Sequence, residues 1–169
     1  MNRDELRALQ GPLKDQYKDR PAAALVTLRA SGSLGDNVTC SVETGRALVE
    51  AGLHPATGGT GAFACSGDML LQALVACAGV TLAAVSTSIG FPLRDARLRA
   101  EGDLDFRGTL GVSRDAAVGF QAIRLFIDLD SDAPAEERAK LLSLTERYCV
   151  VFQTLIKGCP VTVQQGGAA

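Results

Sequence analysis

The sequence predicts an α+β fold with antiparallel-leaning sheets and two long helices. Three observations carry this. Residues 67–90 form the longest nearly charge-free run in the chain, with Asp68 as its one charge and Leu, Ala, Met and Gln dominating its first half; these residues favour helix. Residues 94–106 and 119–130 carry apolar residues at spacings of about two, the period of a half-buried strand. A second helical pattern runs over about 135–156, behind the start signature Ser131-Asp132-Ala133-Pro134 and the acidic pair Glu136, Glu137.

The remaining elements follow in order. Leu6, Leu9, Leu13 and Tyr17 recur at spacings of three and four, which predicts an amphipathic helix over residues 2–18, with Gly11-Pro12 as its weak point. Residues 23–30 read as a strand, 31–37 as a turn, and 38–43 as a second strand pairing with the first. Residues 44–68 hold glycines, threonines and a proline and read as a long loop, a length that is often functional or crosses to a partner chain. That loop leads into the apolar helix, which Ser66 or Asp68 can cap and Gly90-Phe91-Pro92 ends. The strand at 94–106 is bent at Gly102, and residues 107–118 connect it to the strand at 119–130. In the late helix Leu141, Leu144, Tyr148, Val151, Phe152 and Leu155 share one side, and residues 160–165 read as a short last strand. Residues 1–20 form an N-terminal helical extension and 21–169 a single domain.

The central helix is apolar nearly all round, so burial on every side is expected. Asp68, Gln72 and its Ser/Thr-rich end argue against a membrane span. Few strands are available to cover it, so a homodimer that buries it is expected. A net charge of −2 gives no footprint for nucleic acid or an anionic membrane. The charged N-terminus lacks the apolar core of a signal peptide, so the cytoplasm is the expected setting.

Five cysteines stand at positions 40, 65, 77, 149 and 159, an odd and scattered set unlike a disulfide framework. His54 is the single imidazole and no Cys-x-x-Cys is present, so a zinc site is not expected. Cys77 and Cys149 fall on the two long helices. If those helices pack, a nucleophilic thiol and a resolving thiol come together; the alternative is two buried core cysteines. A reactive thiol needs a positive group beside it, and the apolar helix carries no cation. Arg29 in the first strand and Arg46 in the long loop are the candidates.

Two motifs then carry a resemblance. Asp68, Leu70 and Leu71 lead in register to Cys77, and Cys149, Val151, Thr154 and Leu155 follow a Cys-Pro-Val-x-x-Thr-Leu pattern. Over roughly residues 23–164 the chain resembles the OsmC/Ohr family of thiol-dependent hydroperoxide reductases. The resemblance implies an intertwined homodimer with sites at the subunit boundary. It makes Cys77 the peroxidatic thiol, Cys149 the resolving thiol and Arg29, or Arg46, the activating cation. It implies organic hydroperoxides as substrate, a small dithiol as reductant and no metal or bound cofactor, with Phe63, Met69, Phe91 and Phe152 available as an apolar wall, or, for any single one of them, as plain core packing. Cys159-Pro160-Val161 spells the tripeptide literally, but it precedes the predicted last strand and lacks the following Thr-Leu. Three features depart from the family pattern. Val150 stands in place of Pro, Gly67 stands where an acidic residue is usual, and no Gly-Arg-Asp-Gly-like stretch is present. These departures favour the alternative, a non-catalytic redox-responsive or small-molecule-binding dimer.

Overall fold

In the computed structural model, residues 2–20, 31–35, 39–43, 48–111 and 113–165 are described. The predicted strand at 23–30, and with it Arg29 and Arg46, lie outside them.

Helix α1 (Arg3–Asp19) runs through Gly11-Pro12 without interruption. It begins with a reciprocal cap: Glu5 N–H donates to Asn2 Oδ1 at 2.9 Å, and Asn2 N–H donates to Glu5 Oε2 at 2.8 Å. Strands β1 (Ser31–Gly35), β2 (Thr39–Glu43) and β3 (Leu48–Gly52) form an antiparallel sheet in that order. Two expectations are corrected here. Residues 31–35 are strand rather than turn, because Ser31 to Gly35 pair with Glu43 to Thr39. The expected loop at 44–68 contains β3, paired along its length with β2. The chain beyond β3 returns to its edge: Gly52 N–H donates to Ala64 O at 3.0 Å, and Ala64 N–H to Glu50 O at 3.1 Å.

Helix α2 (Ser66–Ile89) matches the predicted long helix, but its N-cap is Cys65, with no side-chain cap bond from Ser66 or Asp68. It ends at Gly90, whose φ of 69° and ψ of 32° lie in the left-handed region. There Gly90 N–H reaches Ser86 O and Thr87 O, and Phe91 N–H donates to Ser86 O at 2.9 Å. A side chain at this position is strained, so Gly90→Ala is expected to cost about 1 kcal/mol. A thermal melt lowered by roughly 2–4 °C checks this, and an unchanged melt refutes the cap.

Strands β4 (Asp95–Leu104) and β5 (Phe120–Asp130) form a separate antiparallel ribbon, with a register shift at Asp103/Leu104. A single turn of helix, α3 (Phe106–Thr109), lies between them. The apolar face of the ribbon, Ala96, Leu98, Ile127 and Leu129, packs on the core. Its outer face is charged, with Arg124 bonded to Asp103 and Arg99 paired with Glu101. These pairs are largely solvated and are worth little each.

The late helix is two helices. α4 (Ala135–Tyr148) stops, Cys149 takes an extended φ of −73° and ψ of 109°, and α5 (Val150–Lys157) begins. This corrects the continuous helix expected over 135–156. Residues 158–165 form no strand, which corrects the expected last strand; Val161 and Val163 are exposed there.

The core is a seam between helices. α2 buries Leu74, Ala78, Leu82 and Val85, at helical spacing, and α4 answers with Leu141 and Thr145. Cys149 continues the latter ladder one turn further and is 1% exposed. Phe91 and Ala133 close one end. The expectation that α2 is buried all round is not met within one chain: Val80 is 72% exposed. By length and composition alone α2 could cross a membrane.

Candidate thiol site

Helix periodicity brings the two thiols together. Cys77 precedes Ala78 of the buried α2 stripe, and Cys149 extends the Leu141–Thr145 ladder. α2 packs against both α4 and α5 beside their junction, and there each thiol shifts the ionisation of the other. Cys77 is half-buried and Cys149 is buried; both are free thiols.

Their surroundings drive them in opposite directions. Burial pushes the Cys77 thiol up. The N–H of Val151, the Cys149 thiol, the N–H of Val150 and the Thr81 hydroxyl together outweigh burial, and Cys77 lies below the ordinary thiol range. Cys149 lies above that range. Burial raises it, the N–H of Phe152 offsets part, and its hydrogen bond to Cys77 and the charge there raise it further. The pair is therefore asymmetric: Cys77 loses its proton first, and Cys149 keeps one to donate to it. A polarised sulfur beside a protonated one is suited to nucleophilic attack followed by disulfide formation.

No cationic side chain among the described residues contributes to the lowering at Cys77. Arg94, Arg99, Arg107 and Arg124 are each engaged with surface carboxylates. Arg29 and Arg46 lie outside the described residues, so the expected cation has no described placement. Asp68 is exposed on the first turn of α2, as is Cys159 beyond the end of α5.

The expected apolar wall is divided. Phe91 is a core residue with Leu82, Val85, Ala133 and Leu141 at the far end of α2, which corrects its place in the wall. Phe152 and Met69 are half-buried, and Phe63 lies over Gly52, where a Cβ would approach its own Cβ to 2.9 Å. Two hollows open near the start of α2. A cleft of about 380 Å³ lies between His54, Cys65, Asp68, Phe106 and Phe120, and a groove of about 430 Å³ runs along Asp68, Gln72, Val75 and Ala76. Cys77 lines neither. Sequence reasoning missed the first cleft, in which His54 stacks on Phe106 with centroids 4.9 Å apart. It also missed the helix start at Val150. The Pro usual at that position was the available signal, since Pro favours the first residue of a helix.

Comparison with known proteins supplies the kinship. The family model described as OsmC-like protein matches residues 59–164, more than half of the chain. No curated protein matches the sequence. Among solved structures, an OsmC-like protein from Mycoplasma pneumoniae superposes with a TM-score of 0.67 at 14% identity, covering 79% of this chain and 89% of that one. An organic hydroperoxide resistance protein from Elizabethkingia anophelis gives 0.65 at 16% identity, covering 80% and 91%. An organic hydroperoxide resistance protein OsmC from Legionella pneumophila gives 0.62 at 18%, covering 80% and 92%. These identities speak for the fold, and the family model speaks for descent: the chain belongs to the OsmC-like protein family.

Proposed function

We propose that the chain is a thiol-dependent hydroperoxide reductase that works through two cysteines and prefers organic hydroperoxides to hydrogen peroxide. The observation that carries this reading is the asymmetric pair, with Cys77 polarised and Cys149 protonated against it. The Cys77 thiolate attacks the distal peroxide oxygen, the O–O bond breaks, and Cys77 becomes a sulfenic acid while an alkoxide leaves. Cys149, the nearest thiol proton, passes that proton to the alkoxide, which departs as the alcohol. The Cys149 thiolate then attacks the Cys77 sulfur, an S–S bond forms, and hydroxide leaves to become water. A small dithiol returns the pair to its reduced state by exchange. Arg29, or Arg46, supplies positive charge to the developing oxyanion. The two resistance proteins named above support the substrate class. The proposed setting is the cytoplasm, where free cysteines stay reduced.

A single turnover of reduced protein with cumene hydroperoxide tests the reading. One peroxide consumed and a Cys77–Cys149 disulfide in the mass spectrum are the expected products. Reaction no faster than a free thiol sinks the enzyme and leaves the non-catalytic redox-responsive or small-molecule-binding dimer, which Gly67 in place of an acid favours.

The homodimer belongs to the same proposal. Leu70 and Val80 of α2 are exposed in one chain at 38% and 72%, and Val150 and Ile156 of α5 at 69% and 59%. A second copy packed along α2 would cover such a surface. Val80→Glu is expected to convert a dimer to a monomer in sedimentation equilibrium while leaving the circular dichroism spectrum intact. A native chain that sediments as a monomer would overturn the dimer.

A further inference from the structure

The cleft beside His54 is a hollow separate from the thiol pair. It opens between the first turn of α2, the β4–β5 ribbon and His54 just beyond β3, and holds about 380 Å³. That volume falls at the lower end of the range of small-molecule pockets. Asp68 on its wall precedes Cys77 by about 13 Å along the axis of α2.

Two glycines shape it. At Gly102 a Cβ would come within 2.4 Å of the Phe120 ring, so glycine lets that ring lie against β4. At Gly67 the reason for glycine is different. Its φ is not in the left-handed region, and a Cβ would stand 3.4 Å from Phe120, 3.6 Å from Cys65 Sγ and 3.7 Å from Leu104, all ordinary contacts. Neither the backbone nor the neighbours demand glycine there, and glycine within a helix is unfavourable. Its effect is to leave open the space between Cys65, Leu104 and Phe120. The register shift of the ribbon falls at Asp103/Leu104, on the same wall, and such irregularities re-aim side chains.

The rest of the wall combines rings with a few polar groups. Phe106 stacks on His54 with 15° between the ring planes. His54 Nδ1 accepts the Ala56 N–H at 3.0 Å, so the neutral ring carries its proton on Nε2. Asp103 is taken up by Arg124, whose second nitrogen donates to it at 2.8 Å. Among the described residues Asp68 has no ion-pair partner, and no cationic side chain lines the cleft.

We propose that this cleft binds a small aromatic molecule whose head group donates a hydrogen bond, an alcohol or an ammonium and not a carboxylate. The ring of the ligand enters the space that Gly67 leaves between Leu104 and Phe120, and the head donates to the carboxylate of Asp68. A carboxylate head would face Asp68 with no cation to offset it.

The chain has one imidazole, so the ring signals of His54 report on this cleft without ambiguity. Phenethyl alcohol, phenethylamine and phenylacetate share a phenyl ring and differ in the head. Each is titrated into the native full-length chain at constant pH while the His54 ring signals are followed by NMR. The alcohol and the amine are expected to shift them to saturation, with half-saturation on the order of 1 mM or below. Phenylacetate is expected to bind at least about tenfold more weakly. Gly67→Leu fills the space meant for the ring. It is expected to weaken the alcohol at least about tenfold, with a melting midpoint no lower than the native one. Asp68→Asn is expected to bring phenylacetate to within about threefold of the alcohol. His54 signals that ignore all three probes, or phenylacetate bound as tightly as the alcohol, overturn the proposal. So does a folded Gly67→Leu chain that binds at native strength, or an Asp68→Asn chain that still rejects phenylacetate. Should Gly67→Leu fail to fold, the order of the head groups in the native chain decides alone. None of these readouts involves peroxide or the thiol pair, so they stand whichever way the turnover experiment falls.

Discussion

Cys149→Ser is expected to consume one peroxide per chain and stop, with Cys77 held as a sulfenic acid. Cys77→Ser is expected to lose peroxide reduction by on the order of a thousandfold or more, down to the level of the remaining free thiols. The difference follows from the two sulfurs having opposite electrostatic settings. Cys77 gains from the N–H groups, the Thr81 hydroxyl and the Cys149 thiol, so it is the group that is anionic first. Cys149 is raised by burial and by Cys77, so it is a poor nucleophile until its proton has gone to the leaving alkoxide. The pH profile of the first step follows from the same signs. The thiolate is lost as pH falls through the lowered Cys77 midpoint, so the rate declines with acidification below the range of an ordinary thiol, not within it. Stopped-flow peroxide consumption with dimedone trapping separates the steps. Dimedone adduct on Cys77 in the Cys149→Ser chain supports the assignment. A disulfide from Cys77 to exposed Cys159 in the native chain would assign the resolving role elsewhere.

The long elements were legible because each carries a complete local signal. α2 announces itself by composition and by Gly90, and the ribbon β4–β5 by period-two alternation that the register confirms from Asp95↔Asp130 to Gly102↔Ile123. α1 shows its period through a Gly-Pro pair that does not interrupt it. What was not legible depends on partners distant in sequence. Residues 31–35 are Ser-Gly-Ser-Leu-Gly, with turn chemistry and no strand propensity; pairing with β2 makes them a strand. The converse holds at 160–165, where Val161 and Val163 alternate as a strand should but no neighbour pairs with them in the described chain. The break at Cys149 is hidden for another reason. A one-residue interruption leaves the apolar period of Leu141, Leu144, Val151, Phe152 and Leu155 looking continuous. The site was half legible. The residue types and their helices pointed to Cys77 and Cys149, and α2 does pack against the helices on either side of Cys149; the break that sets the backbone around Cys149 could not be read from side chains.

Leu82→Ala is expected to cause the largest loss of stability of any substitution considered. Leu82 is 1% exposed and sits among Val85, Phe91, Ala133 and Leu141, with the ribbon residues Leu98 and Ile127 packed against the same cluster. Truncation removes three carbons' worth of transfer energy and leaves a cavity that helix, ribbon and α4 are too firmly paired to close. Such changes cost about 2–5 kcal/mol. At roughly 2–4 °C per kcal/mol for a chain of this size, the midpoint should fall by about 6–12 °C for a loss near 3 kcal/mol. Val80, two residues earlier on the same helix, provides the contrast. Its side chain is 72% exposed, so Val80→Ala should change the stability of the isolated chain by less than about 0.5 kcal/mol. If a second copy covers α2, the cost of Val80→Ala appears only through association. It then varies with protein concentration, while the cost of Leu82→Ala does not. Thermal melts of both variants at two concentrations therefore separate the core of one chain from the surface between two. A Leu82→Ala loss below about 1 kcal/mol would mean that the seam of α2 with α4 is not the core of this fold.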